Sequence, residues 1–139
     1  MLDYSFEIEK ELGKPIKEIF EFKGENFFRK FEEKITLRNL KSTPRVVSLG
    51  GGAFINKTIR EEILKNHISF WLNCSNQILL NRIKKSKKRP LAYNLTKNEL
   101  IDLMNKRSLI YSKALHEIKC GNLTKSEIVE KILNIYETH

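Results

Sequence analysis

The chain has 139 residues, 40% of them hydrophobic, and its 26 Lys and Arg outweigh 17 Asp and Glu to give a formal charge of +9. That length sets one domain with a real core, and the positive surplus points to a polyanionic partner: nucleic acid, a membrane surface or a phosphorylated small molecule. No leader pattern, internal repeat, Cys/His metal spacing or apolar run of about 18 residues appears, and the two cysteines, Cys74 and Cys120, fit buried thiols in a reducing cytoplasm.

Residues 6–12 have helical spacing until Gly13 and Pro15 break it. Pro15 opens a second helix through Ile16, Ile19 and Phe20 that ends near Gly24. A third is expected from Glu25 to about Leu40, with Phe28, Phe31, Ile35 and Leu40 turned inward. Read on its own, Arg29 is a solvated arginine whose stem covers the core.

After Pro44 comes a β-branched run, 45–49, that reads as a buried strand and stops at Gly50-Gly51-Gly52. Glycines there let the backbone turn sharply and bring bare N–H groups against a ligand, at the carboxyl end of a strand where open α/β sheets bind theirs. The plainer reading is a flexible strand-to-helix connection.

An amphipathic helix follows from Asn56 to Lys65, carrying Ile59, Ile63 and Leu64, and then a strand, 68–72. Ser75 caps a helix through Ile78, Leu79, Leu80 and Ile83. That helix runs into Lys84-Lys85-Ser86-Lys87-Lys88-Arg89-Pro90, the densest basic run, which reads either as a solvated loop or as a lid that closes on phosphates. Thr96 and Glu99 form a capping box for a helix to about Leu115, and Thr124 and Glu127 form another after a short strand, 117–120. His67, His116 and His139 are scattered and are expected in structural or exposed roles rather than as ligands.

Strands alternating with helices imply a parallel α/β sheet. Three strands, 45–49, 68–72 and 117–120, are few for a sheet covered on both faces, so the pattern looks like part of a larger one.

Along nearly its whole length the chain resembles the shikimate kinases. Asp3 with Glu7-Ile8-Glu9 is similar to that family's Asp-x-Asp…Ile-Glu segment. Gly13…Ile16…Ile19-Phe20, then Gly24-Glu25…Phe28-Arg29…Glu32-Glu33, resembles its helical substrate-binding region, 13–42. Val47-Ser48-Leu49-Gly50-Gly51-Gly52-Ala53 resembles the glycine motif, Arg89-Pro90-Leu91 the lid, 84–95, and Arg107…Leu109-Ile110-Tyr111 the segment of a second substrate arginine.

The resemblance implies a P-loop kinase-type, three-layer α/β/α fold with a parallel sheet. It also implies transfer of the γ-phosphoryl group of ATP, with Mg²⁺, to the 3-hydroxyl of shikimate, in aromatic amino-acid biosynthesis. By the same carry-over, Arg29 and Arg107 hold the shikimate carboxylate, as planar guanidinium forks do. Gly50, Gly51 and Gly52 line the substrate, Gly51 offering its N–H. Arg89 reaches the transferring phosphate as a catalytic and nucleotide-binding group, and Arg82 lies near the nucleotide. Asp3 matches the metal-associated aspartate, and Ser5 stands where the second, substrate-holding aspartate is found. The implied protein is a cytoplasmic monomer with neither nucleic acid nor membrane as partner.

Two departures shape the expectation for activity. The 139 residues hold no GxxGxGK[ST] segment, which in the family precedes the Asp-x-Asp segment together with the sheet's central first strand. The short form is therefore expected to be a truncated frame, a wrongly assigned start or a fragment, with strand edges left to re-pair. Ser5 in turn is a poor base where a carboxylate is usual. The chain as given is expected to show no ATP-dependent phosphorylation of shikimate. The alternatives are a non-catalytic shikimate-binding relative, another small-molecule P-loop kinase and, ranked last, a basic nucleic-acid-binding module.

Overall fold

The structure, a computed structural model, describes residues 2–42, 45–85 and 95–139, with the backbone alone at 2–5 and 84–85. The described residues fall into two compact units, one within 2–67 and the other in 68–85 with 95–139.

In the first unit the order is β1 (Leu2–Asp3), α1 (Tyr4–Leu12), α2 (Ile16–Leu40), β2 (Val47–Ser48), a 3₁₀ turn (Ala53–Ile55) and α3 (Lys57–Asn66). β1 went unread in the residue pattern because two residues carry no periodicity; it pairs in parallel with β2, Leu2 beside Val47 and Asp3 beside Ser48. The break expected near Gly24 is real: Gly24 has φ 80° and ψ 166° inside α2, so Ile16–Leu40 is two helical stretches joined at a glycine. Pro15 stands just before α2 rather than in it, and its carbonyl accepts from the Ile19 N–H at 3.1 Å. The Glu9 carboxylate caps the same end, accepting from Ile16 N–H at 3.0 Å, and Arg38 pairs with Glu11 to tie α2 to α1.

The core of this unit forms where the apolar stripes of α1 and α2 meet. Ile8, Ile19, Phe28 and Ile35 are buried together, and Leu12, Ile16, Phe20, Phe31, Val47 and Leu49 pack on them. In α3, Ile59 and Ile63 are buried as expected, but Leu64 is exposed because it falls one step beyond the inward stripe. Asn56 caps α3, accepting from Ile59 N–H at 3.1 Å.

The second unit runs β3 (Phe70–Asn73), α4 (Asn76–Lys85), α5 (Lys97–Tyr111), β4 (His116–Lys119) and α6 (Lys125–Glu137). β3 and β4 are parallel, in the register Phe70 with His116 through Asn73 with Lys119. Both capping boxes are present, at Thr96–Glu99 and Thr124–Glu127. α5 stops at Tyr111 rather than near Leu115, because Ser112 closes it and the chain must turn to enter β4. Leu80, Leu100, Ile118 and Cys120 are buried here, while Cys74, expected buried, is half-exposed at the end of β3. His116 stacks on Phe70 with ring centroids 5.2 Å apart, and His67, in the first unit, lies 3.5 Å from the Glu62 carboxylate.

All described pairings are parallel, as the strand–helix alternation requires, but they form two two-stranded sheets rather than one.

Candidate functional site

The glycine triad and Arg29 come together in the first unit. Arg29 follows Phe28, whose buried ring fixes the helix face, so the guanidinium emerges at the core's edge. There its carbon lies 5.3 Å from the Phe28 ring centroid and 5.9 Å from that of Phe20. Two carboxylates of its own helix hold it: Nη1 donates to Glu32 Oε2 at 2.6 Å, and Nε lies 3.5 Å from Glu25 Oε1. The spacings are i,i+3 and i,i−4, where helical side chains meet. Glu32 is buried, and Thr36 Oγ1 donates to its backbone oxygen at 2.6 Å.

Arg29 is therefore a positioned cation, not the solvated side chain that its sequence neighbours suggest. A buried carboxylate beside an arginine restrains it far more than surface pairing does.

Gly52 is explained by this group, whereas a side chain on Gly50 would meet only an ordinary contact. A Cβ on Gly52 would stand 2.2 Å from Arg29 Nη1 and 2.7 Å from its guanidinium carbon, and one on Gly50 would stand 4.0 Å from Glu32 Oε1. Gly52 itself has φ −88° and ψ −26°, open to any residue. Here the missing side chain permits close approach; the left-handed glycines are Gly13, Gly24 and Gly121.

Past the triad the backbone winds at once into the 3₁₀ turn, Ala53 N–H donating to Gly50 O at 3.0 Å and Ile55 N–H to Gly52 O at 3.1 Å. Arg60 Nη1 donates to the carbonyls of Phe54 at 3.1 Å and Ile55 at 2.9 Å, and Asn56 Nδ2 donates to Glu33 Oε2 at 2.6 Å. The Arg60 bonds tie the turn to α3, and the Asn56 bond ties it to α2, the helix that carries Arg29. Glu25, Glu32, Glu33, Asn56 and Arg60 were not singled out as site residues by sequence reading; the i,i+3 and i,i−4 spacing around Arg29 was the available signal.

β1 brings the backbone of Asp3 beside Ser48, two residues before Gly50, and Ser5 lies in the first turn of α1. Asp3 and the glycine triad thus share one end of the β1–β2 pair. Arg82 is exposed on α4 and Arg107 half-buried on α5, both in the second unit. Arg89 and most of the lid, 86–94, lie outside the described residues.

The shikimate kinase family model matches residues 1–137. The chain belongs to the shikimate kinase family. It is 35% identical over 138 residues to the shikimate kinase of Bartonella quintana, a match that takes in 99% of this chain and 66% of that protein. The chain thus spans about two-thirds of that relative's length.

The shikimate kinase of Aquifex aeolicus superposes with a TM-score of 0.85 at 32% identity, over 97% of this chain and 79% of that one. The shikimate kinase of Acinetobacter baumannii, solved in complex with shikimate, gives 0.87 at 28% identity, over 98% and 77%. These likenesses establish the P-loop kinase fold of the shikimate kinase family. Among the described residues, no helix is long and apolar enough to cross a membrane.

Proposed function

We propose that this chain furnishes the shikimate site of a kinase that transfers the γ-phosphoryl group of ATP to the 3-hydroxyl of shikimate. The observation that carries the reading is the Arg29 guanidinium, held by Glu32 and lying against the Cα of Gly52. A guanidinium has five N–H donors, so two carboxylates of its own helix do not use all of them. With its plane already set, less ordering entropy is lost on binding.

Charge counting adds a requirement. Glu25 and Glu32 together outweigh Arg29, so a carboxylate ligand needs a further cation. We assign that role to Arg107, as a second fork, and the neutralisation of the transferring phosphate to Arg89. Gly51 offers its N–H to the substrate, flanked by Gly50 and Gly52, and Ser5 hydrogen-bonds the attacking hydroxyl. Arg82 serves the nucleotide.

The family's phosphate donor is ATP. Among the described residues no three His, Cys, Asp or Glu side chains gather to cage a metal. Asp3 is the residue we assign to Mg²⁺, which would offset charge on the transferring phosphate when bound. ATP supplies the phosphoryl group when bound; this chain's residues hold and orient the acceptor. We take the protein to be a cytoplasmic monomer with neither nucleic acid nor membrane as partner.

Calorimetric titration of shikimate without nucleotide is the test. Saturable binding that Arg29→Ala weakens supports the site; heat indistinguishable from dilution removes it.

A further inference from the structure

Outside this site, the second unit brings its two cysteines together. The β3–β4 register advances one residue per step and ends with Asn73 beside Lys119, so the next pair is Cys74 and Cys120. The ladder bond continues there: Cys120 N–H donates to Asn73 O at 2.9 Å. Neighbouring strands lie about 4.8 Å apart, inside the range of roughly 4.4–6.8 Å between Cα atoms that a disulfide bridges. Residues paired in register also send their side chains to the same face of a sheet.

Both thiols are free. Their exposures differ: Cys74 is half-exposed and Cys120 buried, with its Sγ 3.5 Å from Ile118 O. One sulfur can meet a small oxidant while the other waits behind it.

We propose that Cys74 and Cys120 form a reversible, peroxide-driven disulfide at the carboxyl ends of β3 and β4. Cys74 sulfur, as thiolate, attacks one peroxide oxygen. The O–O bond breaks, hydroxide leaves and takes up a proton, and Cys74 becomes a sulfenic acid. Cys120 sulfur then attacks Cys74 sulfur, the S–O bond breaks, and the Cys120 proton leaves with the departing oxygen as a second water. The two sulfurs lose two electrons and the peroxide gains them, giving one disulfide and two waters.

Burial, above all, and then the contact with Cys74 push the Cys120 thiol up to about 11, with Arg82 pulling weakly the other way. It is therefore protonated at neutral pH and resists direct attack on peroxide, as a resolving thiol should. Once closed, the bond ties the turn that enters α4, the helix of Arg82, to the end of β4. Disulfides in reducing compartments are mostly transient and redox-sensing, which suits a pair in reach of solvent.

The test uses the whole chain, reduced and then freed of reductant. Hydrogen peroxide is added, the reaction is stopped with N-ethylmaleimide in denaturant, and peptides are mapped by mass spectrometry. The Cys74 and Cys120 peptides should be recovered joined, both thiols disappearing together at a rate independent of protein concentration and roughly tenfold or more above that of urea-unfolded chain. Dithiothreitol should restore both. In Cys120→Ala, dimedone should capture Cys74 as the sulfenic acid; the joined peptide in the parent decides the matter even where that variant does not fold. Oxidation of Cys74 with Cys120 still open to alkylation, bridges only between molecules, or equal rates in the folded and unfolded chain would each overturn the proposal.

Discussion

Arg29 and Gly52 form a pair in which each explains the other. A Cβ at Gly52 collides with the guanidinium, not with backbone, and the glycine's own dihedral angles suit alanine. Gly52→Ala is therefore expected to put no strain on the backbone, but to lower stability by separating Arg29 from the buried Glu32 carboxylate. In the same variant Arg29 must swing away, and shikimate affinity should drop roughly tenfold or more, since displacing a positioned group by an ångström is enough to lose its contribution. Urea unfolding and calorimetry on one preparation separate the two effects. If affinity holds, the guanidinium is not the group that Gly52 makes room for.

At the scale of elements, Gly24 is the position where the backbone itself demands glycine. Its φ of 80° with ψ of 166° lies in a region that other residues enter at a cost of about 1–3 kcal/mol. Gly24→Ala should lower stability by that amount, with no neighbour among the described residues within reach of the new methyl to share the blame. An unchanged urea midpoint would mean that the two helical stretches join differently.

The capping boxes make a separate prediction with a pH signature. Thr96→Ala and Thr124→Ala should each cost about 1 kcal/mol at neutral pH. Glu99 and Glu127 accept the Thr96 and Thr124 backbone N–H groups at 2.7 Å, and these bonds hold both carboxyls below their ordinary range. Because the folded-state values are lowered, the stabilisation is complete above the usual carboxylate range and is lost as pH falls through the lowered values. Unfolding midpoints followed from neutral to acid should thus fall less steeply when both residues are changed to Gln. A slope identical to the parent's would contradict the caps' share in acid sensitivity.

For the molecule as a whole, the elements with strong local chemistry were legible. The two boxes, the Asn56–Lys65 stripe and the glycine break at residue 24 follow from neighbours within a few residues. What escaped reading depended on contacts between distant segments. β1 is too short to show a period and exists through its pairing with β2. The fixing of Arg29 was hidden because Glu25 and Glu32 look like ordinary solvated helix charges until Glu32 is seen to be buried. Likewise Cys74 and Cys120, far apart in the chain, meet only through the β3–β4 register. The glycine triad does stand where the backbone turns sharply, Ala53 N–H returning to Gly50 O, but its members make the turn without positive φ, and the close approach in the structure is to the Arg29 side chain.

The 139 residues contain no GxxGxGK[ST] loop, and phosphoryl transfer rests almost wholly on positioning and charge stabilisation of the kind such a loop gives. A coupled ADP-release assay on this chain alone should therefore stay at background with and without shikimate. Turnover near one per second, an ordinary enzyme rate, would show that these 139 residues suffice.

The most direct measurement is the shikimate affinity of the parent beside that of Arg29→Ala, by calorimetry under one set of conditions. Losing one charge-assisted carboxylate pair should cost about 1.5–3 kcal/mol, a weakening of roughly ten- to a hundredfold. Equal affinities in the two proteins would contradict the assignment of Arg29, seated against Gly52, as the group that holds the substrate's carboxylate.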